Sequence, residues 1–221
     1  MLVSKLCEIP VSKYVPKLEK ICLEPCRGEG IWDVLGYYNR ELELVFICEV
    51  EIRGVVKKLS AIRELVEKLR VPEGHVSNYL TLIVRELVRL HEHAHAYLHT
   101  AIIEASEGCA GRTVELDWWK CREVNEPLAE FVARSIVEKF GDPFMTVLKE
   151  IEKFPHYDDY YGRWKDIEGI CKLSPSAIPP LTRVFRSKAW SNWGEFYQEL
   201  KREENSIIAE VTCYSLKHRD P

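Results

Sequence analysis

The sequence predicts an α+β protein, mainly helical, with a small mixed sheet, a backing helix and two helices that carry the chemistry. Three observations predict it. Glu41–Val50 alternates polar and apolar residues and then turns wholly apolar, the pattern of a strand. Glu51–Arg70 and Tyr79–Glu104 instead place apolar residues three and four apart, the helical spacing. The second of these contains His91, Glu92 and His95, a His-Glu-x-x-His pattern. Residues four apart on a helix lie one turn apart on one face, so two imidazoles can reach one tetrahedral metal ion. A Glu beside the first His can then act on a water at that ion.

The chain divides into an N-terminal arm (1–30), a core (31–143) and a mainly helical C-terminal subdomain (144–221). The arm is rich in Pro, Cys and Gly, and a short helix is expected near Lys13–Cys22. Asn39-Arg40 signals a turn before the strand. The carboxylates Glu41 and Glu43 suit a strand near a sheet edge. The next helix carries Ile52, Val55, Val56, Leu59, Ile62, Leu65, Val66 and Leu69, and Val71-Pro72-Glu73-Gly74 ends it. Ser77 or Asn78 caps the histidine helix, which runs to Gly108. On it Arg85, Arg89, His93, Thr100 and Glu104 form one narrow stripe, expected to face solvent. His91 and His95 fall instead among Val84, Val88, Leu98 and Ile102, on the apolar face. Buried imidazoles need partners there. His99 reads as a satisfied core histidine.

Cys109–Val124 is a connection containing Trp118 and Trp119. Asn125-Glu126-Pro127 starts a helix to Phe140, because Asn caps and Pro is tolerated in a first turn. Gly141-Asp142-Pro143 ends it, and Phe144–Phe154 forms another helix. Pro155–Trp164 reads as a loop of packing aromatics and acids. Ser174–Pro180 is a breaker, Ser191–Asn205 a helix, and Ile207–Leu216 a last strand or helix end.

Composition fits an ordinary globular chain: 221 residues, 46% hydrophobic, 30% charged, net charge −4. The slight acidity and absence of a long basic run argue against nucleic acid as partner. No apolar run approaches the roughly 20 residues of a membrane span, and the first ten residues lack the apolar core of a signal peptide, so a cytoplasmic location is expected. Gln198 is the only glutamine while Lys, Arg and Glu are plentiful, a hyperthermophile signature. Intracellular proteins of such organisms can carry disulfides. Among the eight cysteines, Cys22/Cys26 and Cys109/Cys121 are candidate pairs, although spacing does not decide pairing. A structural zinc on Cys22 and Cys26 lacks a second close pair.

Two histidines leave a zinc site one ligand short. On the helix after Asn125, the apolar stripe is Ala129, Ala133, Ile136, Val137 and Phe140. Glu126 sits near its middle, where a carboxylate needs a strong partner. Glu130 sits at its edge, beside Arg134 and Glu138, both read as solvated. Glu126 is therefore the expected third ligand. Glu130 is the carboxylate expected to orient a ligand histidine through its other ring nitrogen. The reverse register stays open, as does a Glu126 that only favours the helix dipole.

These two segments, His91 to His95 and Glu126 to Ala133, resemble the zincin metallopeptidases, in particular the glutamate-ligand branch (gluzincins). The second resembles the Glu-x-x-Ala pattern of membrane-bound zinc peptidases of the HtpX type and of soluble ImmA/IrrE-like peptidases. The order of elements is similar across about Tyr37–Phe140. The sequence departs from the pattern at His93, usually small or apolar, and at Glu130, where Asp or Asn is commoner. The absence of apolar spans excludes the membrane branch, and no helix-turn-helix precedes the core.

The resemblance implies one catalytic Zn²⁺ on His91, His95 and Glu126. Glu92 would be the general base, and peptides or a protein the substrate. The strand Leu42–Val50 would pair with an extended substrate. His156, Tyr157, Tyr160 and Tyr161 are candidate oxyanion donors. Two competing expectations are a zincin-fold metal-binding sensor or interaction protein without proteolysis, and a metal-free helical protein. Neither oligomeric state nor cleavage preference is legible, and the arm is a candidate for a segment that blocks the cleft.

Overall fold

The computed structural model describes residues 12–13, 16–26, 35–100, 102–103 and 121–217. The Trp118-Trp119 connection and Cys109 lie outside them, whereas the histidine helix expected to run to Gly108 ends at Thr100, with Ile102–Ile103 in a strand. Within the described residues the chain is mainly helical, with a small mixed sheet.

β1 (Ser12–Lys13) pairs antiparallel with β5 (Ile102–Ile103). The main sheet has the order β2-β4-β3, from β2 (Leu18–Cys22), β3 (Gly36–Asn39) and β4 (Leu44–Cys48). β2 runs parallel to β4 and β3 antiparallel to it. Two expectations are corrected here. Lys13–Cys22 contributes a strand rather than a short helix, because β4 offers it a row of backbone partners. The best strand is not at an edge but in the centre, and Val45, Ile47 and Cys48 are buried accordingly. The carboxylates that suggested an edge fall before the strand, in the turn 40–43, which Glu43 closes with a positive φ of 48°.

The backing helix is two helices, α1 (Glu49–Ser60) and α2 (Arg63–Leu69). They part at Ile62, which is extended, after the Ser60 hydroxyl turns back to the Lys57 carbonyl. The central helix α3 (Val76–Thr100) follows a single 3₁₀ turn at Glu73–His75. Its supposed solvent stripe is covered by the sheet. His93 is fully buried, its Nε2 2.9 Å from Glu19 on β2, and Arg89 pairs with the same carboxylate. Arg85 pairs with Glu49 of α1. A helix with charges on two faces can still be central when each charge meets a counter-charge.

α4 (Arg122–Val137) packs along α3. It starts a turn earlier than Asn125, since the Cys121 carbonyl accepts from Val124 and Asn125 N–H. Pro127 therefore lies inside the helix, in its second turn. α4 ends through a 3₁₀ turn at Gly141, whose φ of +85° suits glycine. α5 (Asp142–Ile151), α6 (Tyr157–Tyr160) and α7 (Trp164–Glu168) follow, so the expected aromatic loop holds one short helix and leads into a second. Pro179 and Pro180 do not break structure but sit in the first turn of α8 (Ile178–Phe185), where missing N–H groups cost nothing. α9 (Trp193–Arg202) is capped by Asn192, whose Oδ1 accepts from Glu195 N–H, and α10 (Glu204–Lys217) resolves the last segment as helix. One core joins β3, β4 and α1–α10; Phe196 packs against Phe185 and Trp190.

Cys26 and Cys48 form a disulfide, and Cys22 and Cys121 are free thiols, correcting the Cys22/Cys26 and Cys109/Cys121 pairs. No described helix is long and apolar enough to cross a membrane.

Candidate metal centre

The site lies where α3 and α4 face each other. His91 and His95 sit one turn apart on the buried side of α3, 1% and 5% exposed. Glu126, 6% exposed, meets them from α4. His91 Nε2 and His95 Nε2 are 3.1 Å apart, and Glu126 Oε2 lies 3.2 Å from the first and 3.3 Å from the second. Three ligands at about 2.05 Å on a tetrahedral ion stand about 3.3 Å apart, so the spacing fits an ion of that size. The residues lie within metal-binding distance of one another.

The outward ring atoms set which ring nitrogens face the cluster. His91 Nδ1 lies 3.1 Å from Glu130 Oε2, and a carboxylate only accepts, so Nδ1 carries the hydrogen and donates it. His95 Nδ1 lies 3.2 Å from Asn125 Oδ1 and donates likewise. Both Nε2 atoms then present lone pairs to each other and to a carboxylate oxygen. Two lone-pair nitrogens and a carboxylate oxygen converging in this way favour a positive charge between them, from an ion or a proton. In the metal-free protein a proton takes that place. Burial lowers the His91 pKa, but hydrogen bonds to Glu126 and Glu130 outweigh burial and raise it to about 10. His95 is also raised: burial opposes, and Glu126 prevails. Burial raises the Glu126 carboxyl, yet the two imidazoles hold it far below its ordinary range.

Glu130 is 1% exposed, and three donors among the described residues hold it in place. These are His91 Nδ1–H, Arg134 Nε at 2.7 Å and the Tyr157 hydroxyl at 2.6 Å. Burial pushes its carboxyl up, and Arg134, His91 and Tyr157 pull it down to about 2. Arg134 is not solvated as its position suggested. It is 2% exposed, also paired with Glu152, and lies 4.1 Å over the Trp164 ring. Glu138 alone of that pair is exposed. α4 is buried on all sides because α5, α6 and α7 cover the face that helical periodicity assigns to water.

Glu92, 2% exposed, adjoins His91 on α3, and its charge favours protonation of both histidines. β3 presses against the helix at this level. A Cβ on Gly36 would meet Val88 Cγ1 at 2.7 Å, the Phe46 carbonyl oxygen at 2.8 Å and Glu92 Cγ at 3.1 Å.

The candidate oxyanion donors separate. His156 is exposed and pairs with Asp159, away from the cluster. Tyr157 supports Glu130 instead, donating to its carboxylate and accepting from Arg134. Tyr161 is buried and meets the His91 ring edge-on at 5.5 Å. The Tyr160 side chain lies outside the description. His99 is half-buried and satisfied, its Nδ1 2.9 Å from the Tyr38 hydroxyl. Asn125 and Arg134 are the contributors that sequence reasoning missed. Asn125 had a signal, since it precedes Glu126 on the same helix.

No family model matches the chain, and neither the curated proteins nor the solved structures compared with it contain a match.

Proposed function

We propose that the protein is a zinc-dependent peptidase that hydrolyses peptide bonds in a peptide or protein substrate, in the cytoplasm. The convergence of two lone-pair nitrogens and a carboxylate oxygen beside Glu92 carries this reading. The donor set, two imidazoles and one carboxylate, leaves a fourth tetrahedral position for water or substrate. Zinc held there supplies Lewis acidity, making water nucleophilic near neutral pH and polarising a carbonyl oxygen.

The chain's own residues do the rest. His91, His95 and Glu126 set the position, and Glu130 and Asn125 fix both ring orientations through the Nδ1 hydrogens. Glu92 takes the proton from the attacking water and delivers it to the leaving nitrogen. With β4 central, the strand that receives an extended substrate is β3. It has one partner among the described residues, and Gly36 brings it against Glu92. Tyr161 is the remaining described candidate for an oxyanion donor.

Burial of all three ligands favours a second reading, a metal-binding sensor or interaction protein without proteolysis. The first test is metal content of the wild type, His95→Ala and Glu126→Ala. About one zinc in the wild type, lost in both variants, is expected. A wild type unable to take zinc overturns both readings. Zinc binding with no cleavage of a peptide library, and no change on Glu92→Gln, selects the second.

A further inference from the structure

A second group of metal-ligating side chains, separate from the histidine cluster, stands at the C-terminal end of β4. Cys26 follows β2, Cys48 ends β4 and stands at the N-cap of α1, and Glu51 occupies the first turn of α1. Their ligand atoms lie within 4.8 Å of one another. We propose that this is a second, redox-gated metal site: closed as a disulfide when oxidised, it takes a thiophilic divalent cation such as zinc when reduced. The inference goes beyond the histidine centre and does not rest on it.

The donor set is the first argument. Two cysteine sulfurs with one carboxylate oxygen suit zinc, and the softness of thiolate disfavours magnesium or calcium. The state of Glu51 is the second. Its Oε1 accepts the Cys26 backbone N–H at 3.0 Å, which aims the side chain across the pair. Its Oε2 is buried and has no hydrogen-bond partner among the described residues. A buried carboxylate oxygen without a donor is costly, and a cation beside it removes the cost. The third is the helix. α1 has 12 residues, and its positive end favours a thiolate at Cys48 over a thiol. The Cys48–Glu51 spacing, N-cap to third residue, also brings the two side chains together at that end.

The chemistry balances with a dithiol reductant. Its two electrons and two protons break the Cys26–Cys48 bond and leave two thiols, while the reductant departs as its own disulfide. The incoming cation displaces both thiol protons to solvent. A disulfide oxidant reverses the sequence, reforms the sulfur–sulfur bond and expels the ion. In either state Cys26 stays joined to Cys48, so the segment after β2 remains fastened to the sheet under oxidising and reducing conditions alike.

Cobalt(II) is the probe, because thiolate ligands give a sulfur-to-metal charge-transfer band that histidine and carboxylate ligands do not. Full-length protein, oxidised or reduced with a phosphine, is titrated with Co²⁺ and then with competing Zn²⁺. The expected result is a band in the reduced protein only, displaced by zinc and lost in Cys26→Ser and in Cys48→Ser. Glu51→Gln keeps both thiols and should bind cobalt roughly tenfold or more weakly. Three results overturn the proposal: no band in the reduced wild type, an undiminished band in both serine variants, or unchanged affinity in Glu51→Gln. If a serine variant does not fold, by circular dichroism, the comparison of oxidised with reduced wild type and the Glu51→Gln affinity decide.

Discussion

Replacing Glu130 with glutamine tests the site more sharply than removing a ligand. The carboxylate accepts from His91 Nδ1, Arg134 and Tyr157. Glutamine has one acceptor oxygen and one amide nitrogen. Arg134 and Tyr157 share the same Oε1, so the amide oxygen stays with them and the NH₂ turns to His91. Nδ1 must then accept, its hydrogen moves to Nε2, and Nε2 no longer offers a lone pair to a cation. Losing such a support typically costs about 10–100-fold in metal affinity, or about 1.4–2.7 kcal/mol. The folded environment itself holds Glu130 at about 2 against an ordinary 4.5, which is on the order of 3 kcal/mol in favour of the ion. The metal-free variant should therefore also melt earlier, although Arg134 keeps Glu152 as a partner. Zinc affinity, measured by competition with a chromophoric chelator, should fall by at least tenfold. A Glu130→Gln protein that binds zinc as the wild type does would show that His91 does not ligate through Nε2 with Glu130 behind it.

Other outcomes follow from the same geometry. Glu92→Gln should keep its zinc and lose about 10²–10⁴-fold in peptide cleavage; retained cleavage would remove Glu92 from the mechanism. His91 is raised from 6.5 to about 10 in the metal-free protein, so its protonated form contributes stability that is complete below about pH 6.5 and lost as pH rises through about 10. At about pH 8 zinc should thus displace about one proton from His91, read by calorimetry in buffers of differing ionisation heat; release near zero would contradict the assignment. Gly36→Ala forces a methyl onto Val88 and the Phe46 carbonyl, and should cost about 1–3 kcal/mol, visible as a Tm lower by several degrees. An unchanged Tm would show that β3 does not press on α3 as described.

The candidate metal cluster was legible because its residues violate the pattern around them. His91, His95 and Glu126 are polar positions on apolar stripes, so periodicity turned each toward the interior, while the choice of Glu126 over Glu130 stayed open until the two helices were seen to face each other. What periodicity missed has one cause: it assumes each helix keeps one face wet. Arg134 and His93 were assigned to water, yet α5–α7 cover the one and β2 covers the other. Those covering elements carry weak signals of their own. Leu18–Cys22 mixes Leu, Glu, Lys, Ile and Cys and becomes a strand only because β4 has a free side. The central place of β4 and the Cys26–Cys48 bond are likewise long-range outcomes, invisible to any local window.

α3 and α4 each supply part of the metal cluster, with Asn125 and Glu126 some thirty residues beyond His95. A cluster divided in this way cannot assemble while either helix is alone. It forms only once the two have docked. An interaction absent from the transition state leaves the folding rate almost unchanged and lowers the unfolding rate instead. A cation bound after the rate-limiting step would thus be a latch rather than a template: it would lengthen the life of the folded chain without hastening its birth.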